Sequence, residues 1–89
     1  NIMFKKLTFG EALKALKQGH RIARVGWNGK GMWLSYLDPY RNDQFQLIEK
    51  NIEGTFAPYI GMKTADNKYV PWLASQTDIL AEDWITVEK

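Results

Sequence analysis

The chain has 89 residues, a formal net charge of +2, and 45% hydrophobic against 25% charged residues, the balance of one globular domain rather than a disordered segment. A domain this small buries only about 60–65% of the surface it exposes unfolded, and association is a common further source of stability. The absence of cysteine excludes disulfides, thiolate catalysis and most zinc sites, and predicts a reducing cytoplasm; no apolar run reaches the ~18 residues of a membrane span, and no signal-peptide pattern is recognisable.

Asn1 is not an initiator methionine, which predicts a processed or altered start. Thr8 and Glu11 have the spacing of a capping box. Phe9, Ala12, Leu13 and Leu16 then follow the i, i+3, i+4, i+7 pattern of one helical face. With Lys14 and Lys17 suited to the negative end of the helix dipole and Gly19 as a stop, the pattern predicts a helix over 8–18. His20–Val25 and Met32–Leu37 read as strands joined by hairpin chemistry in Gly-Trp-Asn-Gly-Lys-Gly. Residues 38–57, with Pro39, Gly54 and mixed polar residues, read as a variable arm or loop. Pro58–Thr64 and Lys68–Trp72 form a second strand pair around Asp66-Asn67, both residues that tolerate positive φ in a tight turn. Ser75–Glu82 predicts a loop with a helical turn, and Trp84–Val87 a closing strand. The fold class expected is α+β: one N-terminal helix on an antiparallel sheet of four to five strands, in a single domain spanning 1–89. The sheet's second face is then wet or covered by another copy.

Charge is distributed unevenly. Residues 1–31 hold seven Lys/Arg against Glu11 alone, whereas 74–89 hold Asp78, Glu82, Asp83 and Glu88 against Lys89. The basic part suits phosphate-bearing partners or simply forms solvated faces, and a dedicated duplex-DNA binder is usually more basic. Catalytic chemistry has little to draw on. His20 is the single histidine and follows the helix stop, and no nucleophile-elbow spacing links Ser35 or Ser75 to it. Asp78, Glu82 and Asp83 suit either a hydrolytic or Mg²⁺-binding group or a set of turn caps. These features favour a binding protein without catalytic residues, metal or cofactor.

The chain is rich in tryptophan, with four, and Trp27 lies inside a turn, where it is either a lid on the core or a stacking surface for a flat ligand. The three glycines around it lack the spacing of a phosphate-binding loop, and no helix follows them. Trp33 and Trp84 fall in strands and are expected in the core. Pro71-Trp72 opens a stretch whose Ser75, Gln76, Thr77 and Asp78 either meet ribose hydroxyls and base edges or satisfy their own backbone. Chemistry therefore proposes Trp27, Asn28, Trp72, Ser75, Thr77 and Asp78 as ligand-binding residues, with Arg24, Lys30 and Lys63 as weaker phosphate contacts. A single-strand nucleic-acid or protein-interaction module is the alternative.

Two blocks, GEALKALKQGHRIARVGWNGKGMW over 10–33 and PYIGMKTADNKYVPWLASQTDILAEDW over 58–84, resemble the Thoeris anti-defence two-like family of small phage and prophage domains. His20 and Asn67 stand where that family more often has Lys and Gly, and residues 38–57 carry none of its motifs. The resemblance implies a non-enzymatic sponge that binds cyclic ADP-ribose-type signals, including glycocyclic ADP-ribose, made by bacterial TIR-domain immune proteins. It also implies, for some members, a separate site for cyclic di- or trinucleotides. It further implies a homotetramer with ligand sites at subunit interfaces, acting in the cytoplasm of the infected host, with no membrane or polymeric nucleic acid as partner.

Overall fold

The fold is described from a computed structural model for residues 5–27, 31–39 and 53–88. Helix α1 (Phe9–Lys17) starts where the capping box places it. Thr8 Oγ1 accepts from the Glu11 backbone N–H at 3.2 Å, and the Thr8 N–H donates to Glu11 Oε1 at 2.9 Å. Its C-terminus closes as a Schellman motif: Gly19 N–H donates to Leu16 O at 3.0 Å and His20 N–H to Ala15 O at 3.1 Å. Gly19 has φ +102°, a conformation open to glycine at little cost.

Five strands follow: β1 (Arg21–Arg24), β2 (Trp33–Leu37), β3 (Tyr59–Lys63), β4 (Tyr69–Pro71) and β5 (Trp84–Val87). They form one antiparallel sheet in the order β4-β3-β2-β1-β5. A short helix, α2 (Gln76–Leu80), precedes β5 and is capped by Ser75 Oγ, which accepts from Asp78 N–H at 3.1 Å. The β3–β4 turn is tied by Thr64 N–H to Lys68 O at 2.8 Å and Asn67 N–H to Thr64 O at 3.0 Å. Of the two turn residues, only Asn67 takes positive φ, at 64°. Pro71 is tolerated because, among the described residues, β4 is an edge strand of the sheet.

Register decides which face each side chain occupies. Ile22 pairs with Leu34 and Thr86, Leu34 with Met62, and Met62 with Val70, so this row shares one face. α1 contacts β1, β2 and β5 on that face. Its Ala12 and Leu16 join Ile22, Leu34 and Trp84 in a core with no solvent exposure. By alternation, Arg21, Ala23, Trp33, Lys63, Ile85 and Val87 occupy the opposite face. Trp33 is therefore not in the core, contrary to expectation: its strand neighbour Leu34 takes the helix side, and Trp33 must point away. Trp84 is in the core as expected.

The predicted helix and strands agree with the structure within a residue or two at each end, and the helical turn expected within 75–82 is α2. Of the expected arm at 38–57, residues 40–52 lie outside the described residues.

Candidate functional site

Trp84 is the hub from which the candidate site is built. Phe9, Trp27 and Trp72 surround it at ring-centroid distances of 5.3, 5.4 and 6.1 Å, with Trp27 and Trp72 both edge-on at 78° and 87°. Edge-to-face contacts of this kind stabilise by about 0.5–1.5 kcal/mol beyond simple burial. The Trp84 indole N–H donates to Asp78 O at 2.9 Å, which pins α2 against the core. Trp27 and Trp72 are each half-buried, so both indoles serve the core and stay partly open to solvent.

Beside these rings lies an ionic clamp. Arg24 donates from Nε to Asp83 Oδ1 at 2.8 Å and from Nη1 to Asp78 Oδ1 at 2.9 Å. Asp83 Oδ2 accepts from Gly26 N–H at 2.8 Å, and Asp83 O from Val25 N–H at 3.0 Å. Asp78 Oδ1 also accepts a longer bond, 3.4 Å, from Trp27 Nε1. Glycine at 26 suits this approach, because a Cβ there would sit 3.1 Å from Asp83 Oδ2 and the carboxylate would have to shift slightly. The clamp ties the turn after β1 to both ends of the α2 stretch.

The electrostatics follow from the contacts. Hydrogen bonds from Arg24 hold the Asp83 carboxyl below its ordinary value, against the opposing effect of burial. Burial is the largest influence on Asp78 and pushes it up, but hydrogen bonds from Arg24, Ser75 and Trp27 together bring it below its ordinary value. Arg24 is raised in turn by the two carboxylates. Carboxylates held ionised in this way are unsuited to act as general acids, which need a raised pKa.

Trp27 and Trp72 flank Trp84, and Ser75, Thr77 and Asp78 lie at the start of α2 beside Trp27. Within that group Ser75 accepts a capping bond and Asp78 is committed to Arg24 and Trp27, so both satisfy local structure; Thr77 is exposed. Arg24, expected as a phosphate contact, is instead neutralised by two carboxylates and part-buried. Lys63 is separate: it lies 4.4 Å from the Trp33 ring centroid on the other sheet face. Asn28 and Lys30 lie outside the described residues. The sequence pattern offers Asp83 as part of a hydrolytic or Mg²⁺-binding group or as a turn cap, and does not reveal it as the partner of Arg24. The available signal was Arg24 at the same strand parity as Ile22, which places a cation on the core side in need of a counter-charge.

The site defines a small α+β domain with an aromatic cluster and an internally neutralised ionic clamp. Among the described residues no helix is long and apolar enough to cross a membrane, and no group of three or more His, Cys, Asp or Glu could hold a metal ion. The family model described as the Thoeris anti-defense 2-like domain matches residues 7–87, and the chain belongs to that family. It is 49% identical over 85 residues to the protein named Thoeris anti-defense 2 of Bacillus phage SP01, an alignment covering 92% of this chain and 96% of the phage protein. Both motif blocks quoted above lie within the family match.

Proposed function

We propose that this chain counters Thoeris immunity by sequestration: it binds a cyclic ADP-ribose-type signal, such as glycocyclic ADP-ribose, and withholds it without chemical change. The carrying observation is the near full-length relationship to Thoeris anti-defense 2 of a Bacillus phage. The site's chemistry supports it. Trp27 and Trp72 offer indole surfaces for an adenine, and stacking of this kind stabilises by about 1–3 kcal/mol per base. The Thr77 hydroxyl is exposed and Ser75 Oγ accepts a capping bond while its own proton remains to donate, which supports contacts to ribose oxygens. Asp78 and Asp83, held as carboxylates, favour retention over turnover.

In this reading the pocket is completed by a second copy, and the assembly is a homotetramer with ligand sites at its interfaces. Leu73 and Leu80, 91% and 76% exposed beside the aromatic cluster, are the surface such a copy would cover. The site of action is the cytoplasm of the infected host, and a cyclic di- or trinucleotide is a second ligand class. An effective trap needs a nanomolar Kd, roughly −12 kcal/mol. The test is calorimetry against isomers of cyclic ADP-ribose, followed by heat release and mass analysis of the ligand. Intact ligand recovered after tight binding is expected. Absence of binding to any isomer overturns the reading, and a cleaved product makes the protein an enzyme.

A further inference from the structure

The turn after β1 carries Trp27 to the aromatic cluster, and three backbone amides decide where that turn runs. Val25 N–H donates to Asp83 O at 3.0 Å, and Gly26 N–H to Asp83 Oδ2 at 2.8 Å. Trp27 N–H then turns back to Arg24 O at 3.2 Å. The Val25 bond continues the β1–β5 pairing, in which Arg24 stands opposite Trp84. The Gly26 bond lies beyond that ladder and depends on the side chain at position 83. Arg24 Nε holds the other carboxylate oxygen, Oδ1, at 2.8 Å, so the strand fixes one oxygen while the second meets the turn. Glycines at 26, 29 and 31 give the 25–32 connection a large conformational entropy to lose, and an anchor beside Trp27 restricts it where the ring is attached.

We propose that Asp83 is a positioning residue for ligand binding: without touching the ligand, its carboxylate pins the Gly26 amide and so holds Trp27 in a fixed relation to Ser75 and Thr77 at the start of α2. The inference rests on the sequestration reading for the ligand, and adds a residue that reading does not include. The Trp27 side chain is only loosely held by its own contacts. Its ring meets Trp84 edge-on at 5.4 Å and 78°, a contact that leaves sliding along the neighbouring ring open. Its Nε1 reaches Asp78 Oδ1 at 3.4 Å, long for a hydrogen bond. The backbone anchor on Asp83 supplies the restraint those contacts lack. Arg24 also donates from Nη1 to Asp78 Oδ1 at 2.9 Å, and Asp78 N–H donates to Ser75 Oγ at 3.1 Å. One guanidinium therefore references both the Trp27 turn and the α2 hydroxyls, and sets the spacing between a stacking ring and its polar neighbours. A ligand that needs both binds only the fraction of molecules in which they are in place, and its apparent Kd rises as that fraction falls.

The experiment compares wild type with Asp83→Asn, which keeps the side-chain volume but offers one acceptor oxygen in place of two. Thr8→Ala, which weakens the α1 cap and none of these contacts, is the control for a general loss of stability. In ¹⁵N relaxation of the ligand-free chain, the Trp27 indole N–H should be ordered in wild type and in Thr8→Ala. It should become mobile in Asp83→Asn, with the Trp84 indole unchanged in all three. Calorimetry with the cyclic ADP-ribose isomer that wild type binds should show Kd raised about tenfold in Asp83→Asn, as when the competent fraction falls to about a tenth. Thr8→Ala should stay within about twofold of wild type, because its lesion lies in the α1 cap. Wild-type Kd in Asp83→Asn overturns the proposal, as does an equal loss in Thr8→Ala. Weakened binding with Trp27 still ordered overturns it in favour of Asp83 as a direct ligand contact. If wild type binds no isomer, sequestration falls, and an ordered Trp27 indole in ligand-free Asp83→Asn overturns this inference separately. Should Asp83→Asn not fold, hydrogen exchange of wild type decides: a protected Gly26 amide is expected, and unprotected exchange there overturns the anchor.

Discussion

Replacing Arg24 by alanine removes both arms of the clamp and leaves Asp78 and Asp83 facing each other without a counter-charge. Hydrogen bonds to charged groups contribute about 1.5–3 kcal/mol each. The three side chains are only 17–26% exposed, so the pairs are partly shielded but the freed carboxylates can recover some hydration. A loss of about 2–3 kcal/mol follows, between the range for surface pairs and that for breaking a buried pair. For a domain of this size it corresponds to a Tm lower by about 10–20 °C. The pH dependence carries a defined sign. Both carboxyls have folded-state pKa values lowered from the ordinary one. Their stabilisation is therefore present above about pH 4, the unfolded value, and is lost as pH falls through the folded values. Urea unfolding followed by tryptophan fluorescence, at one protein concentration, should show a gap between wild type and Arg24→Ala that is full at pH 7 and small at pH 3. Combining Arg24→Met with Asp78→Asn and Asp83→Asn should recover more than half of the loss, because no unpaired charge remains. A gap under about 0.5 kcal/mol at pH 7, or one equally large at pH 3, refutes the clamp as a source of stability.

Trp27→Ala should lower both unfolding free energy, by about 1–3 kcal/mol, and affinity for a cyclic ADP-ribose ligand, because the ring meets Trp84 as well as the outer surface; Trp27→Phe should restore most of the stability in the same denaturation assay. Thr8→Ala should cost about 1 kcal/mol by loss of the capping box, read as a lower urea midpoint with unchanged slope. Gly61→Ala places a Cβ 2.6 Å from Leu37 Cδ1; a thermal melt should show a loss of about 1–2 kcal/mol, relieved by Leu37→Ala in the double variant.

Local structure was readable where its cause was local. The Thr8–Glu11 box, the Gly19 stop and the Asn67 turn each depend on residues within a few positions of one another, and each occurs as the pattern predicts. The site was less readable because its contacts are distant. Arg24 meets Asp83 across 59 positions and Asp78 across 54, and a cation in sequence does not reveal whether a counter-charge awaits it. The β1–β5 register, which sets Arg24 opposite Trp84, supplies that answer. The face that Trp33 occupies is hidden from the sequence for a related reason. Alternation states that Trp33 and Leu34 face opposite ways, but only the position of α1 decides which one is enclosed. Ser75 and Thr77 stand out in the sequence as a group of hydroxyls, yet their division between capping and exposed positions depends on where α2 begins.

The position of Trp84 along the chain also governs when the protein can fold. The hub of the aromatic cluster belongs to β5, the strand nearest the C-terminus, yet its ring partners are Phe9, Trp27 and Trp72. During synthesis, α1 and the first two strands emerge with their apolar face unfilled, and they stay so until the ribosome has released residue 84. Formation of the cluster waits on that strand, since the non-local pairing of β1 with β5 must close first. A nascent chain arrested before Trp84 would expose Leu16, Ile22 and Leu34 together, a natural target for chaperones.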